Sequence, residues 1–238
     1  MKSTVLKWVG TLTVSAVLVG CQSAEPVEEK QETPVAEASE QNEQKNDAHN
    51  HDHDHADEEA KKIYAGYFED DQIQDRALTD WEGDWQSVYP YLLDGTLDEV
   101  FEHKAANGGK KTVEEYKEYY EIGYKTDVER LIMDGDQVTF YKDGEALTGT
   151  YLSDGYEVLT YEAGNRGVRY IYKLETAVEG LPQYIQFSDH SISPTDAGHY
   201  HIYFGDDRAA LLEEVTNWPT YYPSQMDGHT VAHEMMAH

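Results

Sequence analysis

Three of the 11 histidines fall within one short stretch, QFSDHSISPTDAGHYHIYFG, at residues 186–205. They are His190, His199 and His201. Alternate residues of a β-strand point to the same face, so His199 and His201 are expected to project together. His190 ends the preceding strand-like run, and the SISPTDAG segment contains the proline and glycine of a hairpin loop. If the two strands pair, His190 lies opposite or diagonal to the other two histidines, within side-chain reach.

Three converging imidazoles are suited to binding a divalent metal ion. Zn²⁺ takes imidazole nitrogens at about 2.0–2.1 Å in tetrahedral geometry, and three histidines would leave its fourth position open. We therefore predict a Zn²⁺ site at His190, His199 and His201. Cd²⁺ and other divalent transition metals are further candidates, because imidazole suits several of them. The alternative is that the three side chains are ordinary polar residues of the surface or the core.

Further histidines lie in two other clusters. The first is the tract HNHDHDH, which contains His49, His51, His53 and His55. Short tracts of this kind bind Zn²⁺, Cu²⁺ or Ni²⁺ loosely, so we predict four accessory metal ligands in an unstructured segment. The alternative for this tract is a solvated polar tail. At the C-terminus, His229 and His233 share a face of a predicted helix and are assigned no role. His238 could supply the fourth ligand, in cis or from a neighbouring molecule.

Residues 1–20 have the pattern of a secretory signal peptide. Two lysines precede an apolar run of about a dozen residues, which is too short for a membrane-spanning helix. The segment ends in LVGC, which resembles the lipobox of bacterial lipoproteins, whose signal is removed before the cysteine and whose thiol is lipidated. Cys21 is the single cysteine of the chain. It is therefore predicted to anchor an extracytoplasmic protein to the cell membrane.

The composition changes after Cys21. Residues 21–56 are acidic and contain no Phe, Trp or Tyr, so together with the histidine tract we predict a disordered tether. Residues 57–238 have the length of one domain and contain all the tyrosines. The formal net charge of −29 argues against a nucleic-acid partner, because phosphates require Lys and Arg.

Helical patterns occur at both ends of this domain. Asp57 and the acids after it predict a helix start, and residues 97–109 predict a second helix that glycines close. His103, on that second helix, is predicted to be a surface residue. Thr112 and Glu115 fit a capping box at the start of a third helix. The segments DDRAALLEEV and HTVAHEMMAH predict two more.

The central part of the domain has the period of a β-sheet. Apolar and polar residues alternate over residues 128–175, and further strands are predicted around residues 184–189 and 199–204. Hairpin turns are predicted at Asp134-Gly135, Asp143-Gly144, Asp154-Gly155 and Gly164-Asn165. Successive hairpins close most easily as an up-and-down barrel. The GDW at residues 83–85 matches the Gly-x-Trp found near the first strand of lipocalin-like barrels. We therefore predict a mainly β fold with flanking helices, a lipocalin/calycin-like antiparallel barrel.

Six stretches, which cover nearly all of residues 57–238, carry a resemblance to a known family. They are LTDWEGDWQSVYPYLLDGTLDEVF, KKTVEEYKEYYEIGYKTDVERL, QFSDH, GHYHIYFG, NWPTYYP and AHEMMAH. They resemble the ZinT (YodA-like) family of zinc- and cadmium-binding, lipocalin-like bacterial proteins. The resemblance implies a small barrel and three zinc ligands that correspond to His190, His199 and His201. It also implies zinc recruitment, because members occur fused to the zinc-binding lipoproteins of ABC importers. The lipobox and acidic tether depart from the free periplasmic members and favour a surface-tethered protein.

These observations predict an extracytoplasmic zinc-binding lipoprotein and not an enzyme. Its predicted function is to capture Zn²⁺ and help supply it to an ABC-type zinc importer or to the solute-binding protein of that importer. Two alternatives belong to other classes. The barrel could bind a small apolar ligand, which a tyrosine-filled interior would oppose. A three-histidine zinc could also support hydrolysis if a general base lay nearby, with Glu234 and Asp189 the nearest candidates in sequence.

Overall fold

The computed structural model describes residues 51–161 and 163–237, with side chains from Glu58 onward. Within this part of the chain, eight antiparallel strands close into a barrel, since each strand pairs with the next and the last pairs with the first. The strands are β1 (Gly83–Ser87), β2 (Arg130–Asp134), β3 (Gln137–Lys142), β4 (Glu145–Thr160), β5 (Arg166–Leu174), β6 (Tyr184–Ser188), β7 (Tyr200–Gly205) and β8 (Thr220–Pro223). This architecture confirms the predicted antiparallel barrel. The predicted signal peptide, Cys21, His49 and His238 lie outside the described residues.

Helices flank the barrel, as the sequence predicts. They are α1 (His51–Tyr64), α2 (Tyr89–Leu93), α3 (Asp98–Ala106), α4 (Val113–Tyr124), α5 (Arg208–Glu213) and α6 (Gly228–Ala237). The predicted capping box at the start of α4 is present, because Thr112 and Glu115 each accept a hydrogen bond from the other's backbone N–H. None of the helices in the described residues is long and apolar enough to cross a membrane.

Helix α1 begins earlier than predicted. The sequence predicts a start at Asp57 and a disordered segment up to residue 56, whereas the helix begins at His51. The backbone of His51, His53 and His55 is therefore helical. Aspartates alternate with these histidines in the first two turns, and carboxylates near a helix N-terminus stabilise the helix dipole. The prediction failed because an alternating polar tract has no apolar face to mark it as a helix.

One predicted hairpin is wrong. Turns connect the strands at three of the four predicted dipeptides, but Asp154-Gly155 lies inside the long strand β4. Both halves of β4 pair with β5, and the register shifts between Ser153 and Tyr156. Gly155 adopts φ 83°, which favours glycine, so the dipeptide forms a β-bulge. A bulge bends a strand and increases its twist, which helps a short sheet to close on itself.

Aromatic side chains fill the interior of the barrel. The largest of these buried residues are Trp81, Trp85, Tyr151, Tyr170, Tyr172, Phe187, Tyr200 and Tyr221. Buried tyrosine hydroxyl groups find backbone acceptors. Tyr172 donates to the carbonyl oxygen of Arg76, and Tyr221 donates to that of Val128. A tyrosine-filled interior leaves little room for a ligand of lipocalin type, which counts against the apolar-ligand alternative.

A second apolar cluster, here called the outer cluster, joins the barrel wall to helices α2, α3, α4 and α6. Its buried members are Val88, Leu97, Val100, Phe101, Tyr124, Tyr222, Val231, Ala232 and Met235. Trp218 packs on its edge and meets the rings of Tyr119, Tyr120 and Tyr124 at centroid distances of 4.9–5.6 Å. The outer cluster thereby fixes the segment that leads into β8.

A buried ion pair connects the N-terminal segment to the end of β6. Arg76 Nη1 donates to both carboxylate oxygens of Asp189, at 2.6 and 2.8 Å, and both side chains are at most 2 % exposed. Arg76 also donates to the carboxylate of Asp80 and to the carbonyl oxygen of Thr195. All the guanidinium nitrogens therefore have oxygen partners, which a buried ion pair requires.

Loss of this pair should strongly destabilise the fold. Arg76→Leu leaves the Asp189 carboxylate buried without its partner, so we expect the free energy of unfolding to fall by about 3–5 kcal/mol. The measurement is urea unfolding followed by tryptophan fluorescence. Arg130→Leu is the matched control, because Arg130 pairs with Asp84 at the surface, where both side chains are at least 40 % exposed. Similar unfolding midpoints for the two variants would contradict the assignment.

Candidate metal centre

The β6–β7 pair brings the three predicted histidines together. Ser188 of β6 lies opposite His201 of β7, and continuing this ladder by two places puts His190 opposite His199. The ring centroids are 5.7–6.2 Å apart. One nitrogen of each ring lies within 4.8 Å of those of the other two. The structure thus places all three imidazoles around one point, as the spacing of the sequence predicts.

The backbone at His190 is unusual. Its φ is 65°, in the left-handed region that few residues other than glycine adopt, although histidine occurs there more often than most. Asp189 stabilises this turn, because its carboxylate accepts a hydrogen bond from the backbone N–H of Ser191 while it pairs with Arg76. A strained conformation that its surroundings hold in place is typical of functional sites. The turn directs the His190 ring back toward β7.

Aromatic rings flank each of the three imidazoles. The ring of Tyr64, at the end of α1, stacks on His190 with a centroid distance of 4.5 Å. Tyr222 of β8 stacks on His199 at 5.0 Å, with only 9° between the ring planes. Trp218 meets His201 edge-on at 5.6 Å. These contacts limit the rotation of the imidazole rings, so the site is ordered by packing in addition to backbone geometry.

A glycine allows α1 to approach the site. Gly66, just after α1, has φ 86°, and its carbonyl oxygen accepts a hydrogen bond from the backbone N–H of Arg166 at 2.8 Å. A Cβ atom at this position would lie 2.4 Å from the carbonyl oxygen of Arg166. Only glycine therefore fits between the helix and the start of β5. This close contact places Tyr64 over His190.

The Thr220 hydroxyl lies between His201 and a backbone carbonyl. It is 2.7 Å from His201 Nδ1 and 3.1 Å from the carbonyl oxygen of Trp218. When the hydroxyl donates to that carbonyl oxygen, it accepts from His201 Nδ1–H. The Nε2 lone pair of His201 is then available to a metal ion. A hydrogen bond of this kind on the second ring nitrogen is usual for histidine ligands.

The surroundings also keep His201 neutral. Burial is the main reason that the pKa of His201 lies well below its usual range, and the neighbouring histidines and Arg169 add to the effect. A neutral imidazole is the form that binds a metal ion. Zinc ligands in tetrahedral geometry are about 3.3 Å apart, so the three nitrogens need only small side-chain rotations to reach one ion. The residues present therefore fit Zn²⁺ with one coordination position open.

The three histidines line a cleft of about 690 Å³ between the barrel and the outer cluster. Tyr64, Trp218 and Tyr222 line it as well, and so do the basic residues Lys104, Arg166 and Arg169. The sequence patterns did not single out Trp218, Thr220 and Tyr222. Thr220 and Tyr222 share one face of β8, and Trp218 precedes the strand by two residues. This spacing of two in NWPTYYP is a signal that could have identified them.

The structure places the remaining histidines away from this cleft or leaves their side chains undescribed. His229 is 86 % exposed and lies 3.3 Å from a carboxylate oxygen of Glu99, and His233 is exposed on the same helix. His103 is exposed, as predicted. The predicted accessory ligands His51, His53 and His55 have a described backbone only, on α1. The accessory roles of these three residues, of His49 and of His238 stay predictions.

Of the two candidate general bases, Asp189 is already engaged in hydrogen bonds within the protein. Both of its carboxylate oxygens accept hydrogen bonds from Arg76, and one also accepts from Ser191. It is therefore held away from the role of a proton acceptor for bound water. Glu234 lies on α6 and lines a smaller groove on the other side of His199, together with Tyr64 and Tyr222.

Comparison with known proteins decides the family. The model of the ZinT (YodA) periplasmic lipocalin-like zinc-recruitment family matches residues 59–238. The chain belongs to this family. The ZinT chain is 61 % identical over 245 aligned residues to the probable metal-binding protein YrpE of Bacillus subtilis, and the match covers 98 % of each protein.

Solved structures agree with this assignment. The Zn(II)-bound ZinT-like domain of Streptococcus pneumoniae AdcA superposes with a TM-score of 0.71 at 47 % identity, over 73 % of this chain and 97 % of that domain. The zinc-binding lipoprotein AdcA of the same species is 47 % identical over 182 residues, which cover 76 % of this ZinT chain but 36 % of AdcA. The chain thus spans about a third of AdcA, whose longer sequence includes more than the ZinT-like part.

The hydrogen bond from His201 to Thr220 should matter for metal binding. Thr220→Val keeps the shape of the side chain but removes the acceptor, so we expect the affinity for Zn²⁺ to fall by about 10–100-fold. Calorimetric zinc titration measures the change, and ¹⁵N NMR of the imidazole reports the tautomer. Thr220→Ser, which keeps the hydroxyl group, is the control and should bind nearly as the wild type does. Equal loss in both variants would show that packing, and not the hydrogen bond, is responsible.

Proposed function

We propose that this ZinT protein captures Zn²⁺ outside the cytoplasm through His190, His199 and His201 and helps to supply it to an ABC-type zinc importer. The observation that carries the proposal is the convergence of three imidazoles, with nitrogens within 4.8 Å of one another, in a member of a zinc-recruitment family. The partner is the importer or its solute-binding protein. The relatives named zinc-binding lipoprotein AdcA support this, because they combine a ZinT-like domain with further sequence.

The same proposal includes a lipid anchor at Cys21. The family is described as periplasmic, and the lipobox and acidic tether suit a protein that is held at the outer face of the cell membrane instead. A tether of about 35 residues would let the domain reach roughly 30–35 Å from the membrane surface. Such a position keeps captured zinc close to an importer.

The site suits capture and release better than catalysis. Three imidazole ligands with an open position bind zinc firmly, yet an incoming ligand from a partner can attack at that position. Asp189 is engaged with Arg76, which removes one of the two candidate bases for hydrolysis. Cd²⁺ and other divalent metals that accept imidazole ligands are expected to compete for the same site.

The histidine tract can act as an accessory to this site. Its residues His51, His53 and His55 lie on α1, whose last residue, Tyr64, stacks on His190. At 1.5 Å per residue, His55 lies about 13 Å from Tyr64 along the helix axis. Loosely bound metal on the tract would therefore be concentrated near the three-histidine site. His238 is proposed as a ligand for the fourth position.

Removing two of the three ligands should abolish tight zinc binding. In calorimetry at neutral pH, we expect the wild type to bind one Zn²⁺ tightly and a His199→Ala/His201→Ala variant to lose at least about 100-fold in affinity. A His229→Ala/His233→Ala variant is the matched control, since both of these histidines are exposed on α6. If the first variant still binds zinc as the wild type does, the three histidines are not the ligands and the proposal fails.

Zinc affinity should decrease as the pH falls from about 7.5 to 5. Protons compete with the metal for the imidazole nitrogens, so acid favours release. His201 contributes least to this loss, because burial holds its pKa well below the usual value. Competition with a chromophoric chelator at a series of pH values measures the effect. Affinity that does not change over this range would argue against imidazole ligation.

A further inference from the structure

The cleft that contains the histidines differs in charge from the rest of the protein. The chain has 47 acidic and 18 basic residues. Nevertheless, among the described residues that line the cleft there is no Asp or Glu, whereas Lys104, Arg166 and Arg169 all line it. A cleft that held only a divalent cation would be expected to follow the opposite pattern, because positive side chains repel a positive ion.

Arg169 is the most unusual of these residues. It is 1 % exposed, and the described residues offer it no carboxylate within ion-pair distance, although each of the other four arginines has one. Its Nη atoms donate to the carbonyl oxygens of Leu211 and Glu214 at 3.2 and 3.0 Å and to the side-chain oxygen of Gln186 at 3.5 Å. The neutral Tyr161 side chain is a further hydrogen-bond neighbour, whereas the Nε atom has no hydrogen-bond partner among the described residues. The guanidinium carbon lies 3.2 Å from the ring centroid of Tyr203. A buried cation without an anion is costly, which suggests that its partner is a ligand.

Lys104 supplies a second positive charge to the same cleft. Its side chain is partly buried, and its ammonium group lies 5.9 Å from the ring centroid of Tyr120. No ion pair with a described carboxylate satisfies it. Arg166, in contrast, is bound to Asp70. The cleft therefore contains two cations whose charge the described carboxylates do not balance.

The size of the cleft also exceeds what a hydrated metal ion needs. A water molecule occupies about 30 Å³, so zinc with one bound water would leave most of the 690 Å³ to solvent or to a second ligand. Much of the remaining lining is aromatic and includes Trp218, Tyr119 and Tyr203. Aromatic walls favour a planar ligand, and the unbalanced cations favour an anion.

We propose that this cleft binds a small organic anion, an aromatic or heterocyclic carboxylate, together with the zinc ion. The anion occupies the open coordination position in place of His238, its ring packs on the aromatic wall, and its carboxylate faces Lys104. The buried Arg169 adds positive charge behind the wall of the cleft. The inference rests on the proposed zinc site, because the anion binds only when zinc is present. Zinc would then be held as a chelate whose net charge is lower than that of the bare ion, which explains basic residues beside a cation site. The association is reversible coordination and forms no covalent bond with the protein.

Picolinate, a planar pyridine carboxylate that chelates zinc through nitrogen and oxygen, is a suitable probe. Calorimetric titration of picolinate into zinc-loaded protein should show one saturable binding event, and zinc-free protein should show none. Dialysis followed by metal analysis establishes that the zinc stays on the protein. Picolinamide, the neutral amide of the same acid, titrated in the same way, separates the effect of the carboxylate charge from that of the ring.

A pair of lysine variants tests the role of charge. Lys104→Gln should weaken picolinate binding about 3–10-fold and leave Zn²⁺ binding unchanged or slightly tighter, since the removed charge attracts the anion and repels the metal. Lys111→Gln is the matched control, because Lys111 also lies over a tyrosine ring of α4, at 5.5 Å from Tyr119, but does not line the cleft. Arg169→Gln should weaken picolinate binding further. Because Arg169 is buried and its replacement can also disturb the fold, the two lysine variants carry the test.

The outcomes separate this inference from the proposed function. If the wild type does not retain zinc, the proposed function fails and the anion site fails with it. If zinc binds but picolinate does not, or binds equally well without zinc, only the anion site is overturned. Equal effects of Lys104→Gln and Lys111→Gln would overturn it as well. Zinc-dependent binding that Lys104→Gln alone weakens would support it.

Discussion

The arrangement of the three histidines depends on the buried ion pair between Arg76 and Asp189. A desolvated guanidinium and carboxylate must meet, because either one alone would be a large destabilising charge in the protein interior. Their meeting attaches the segment before β1 to the end of β6, one residue before His190. It also brings the carbonyl oxygen of Thr195, in the β6–β7 loop, to the same guanidinium. The ion pair thus holds the loop that carries His190 in place, because a small displacement of the loop would lengthen its hydrogen bonds.

The three histidines lie where the barrel meets the outer cluster, so both parts of the fold contribute side chains to their surroundings. The histidines come from the barrel, whereas Trp218 and Tyr222 belong to the face that packs on the outer cluster. Aromatic side chains fill the barrel interior, and the three histidines line a cleft outside it. A centre at the rim can exchange its metal with another protein, which a closed interior could not do. The fold therefore uses a lipocalin-like barrel as a rigid support and not as a container.

Much of the fold follows from local sequence signals. Asp134-Gly135 and Asp143-Gly144 form the predicted hairpin turns, and the Thr112 capping box begins α4. The same dipeptide chemistry was misleading at Asp154-Gly155, because glycine with positive φ serves a bulge as well as a turn. Short strand β8, with four residues, is too brief for an alternating pattern to be recognised. Its place is set by pairing with both β1 and β7, a contact that sequence periodicity does not contain.

The sequence by itself determined the chemical identity of the site. Three histidines on a predicted hairpin, with a spacing of two between the last pair, predicted which side chains converge, because strand pairing follows from local patterns. Only the tertiary structure decided the left-handed backbone at His190, the hydrogen bond between His201 Nδ1 and Thr220, and the aromatic rings against the imidazoles. It also revealed the buried charge of Arg169, which no carboxylate among the described residues pairs with. These features arise from contacts between residues far apart in the chain, and burial strengthens the polar contacts among them. No local sequence pattern encodes them for that reason.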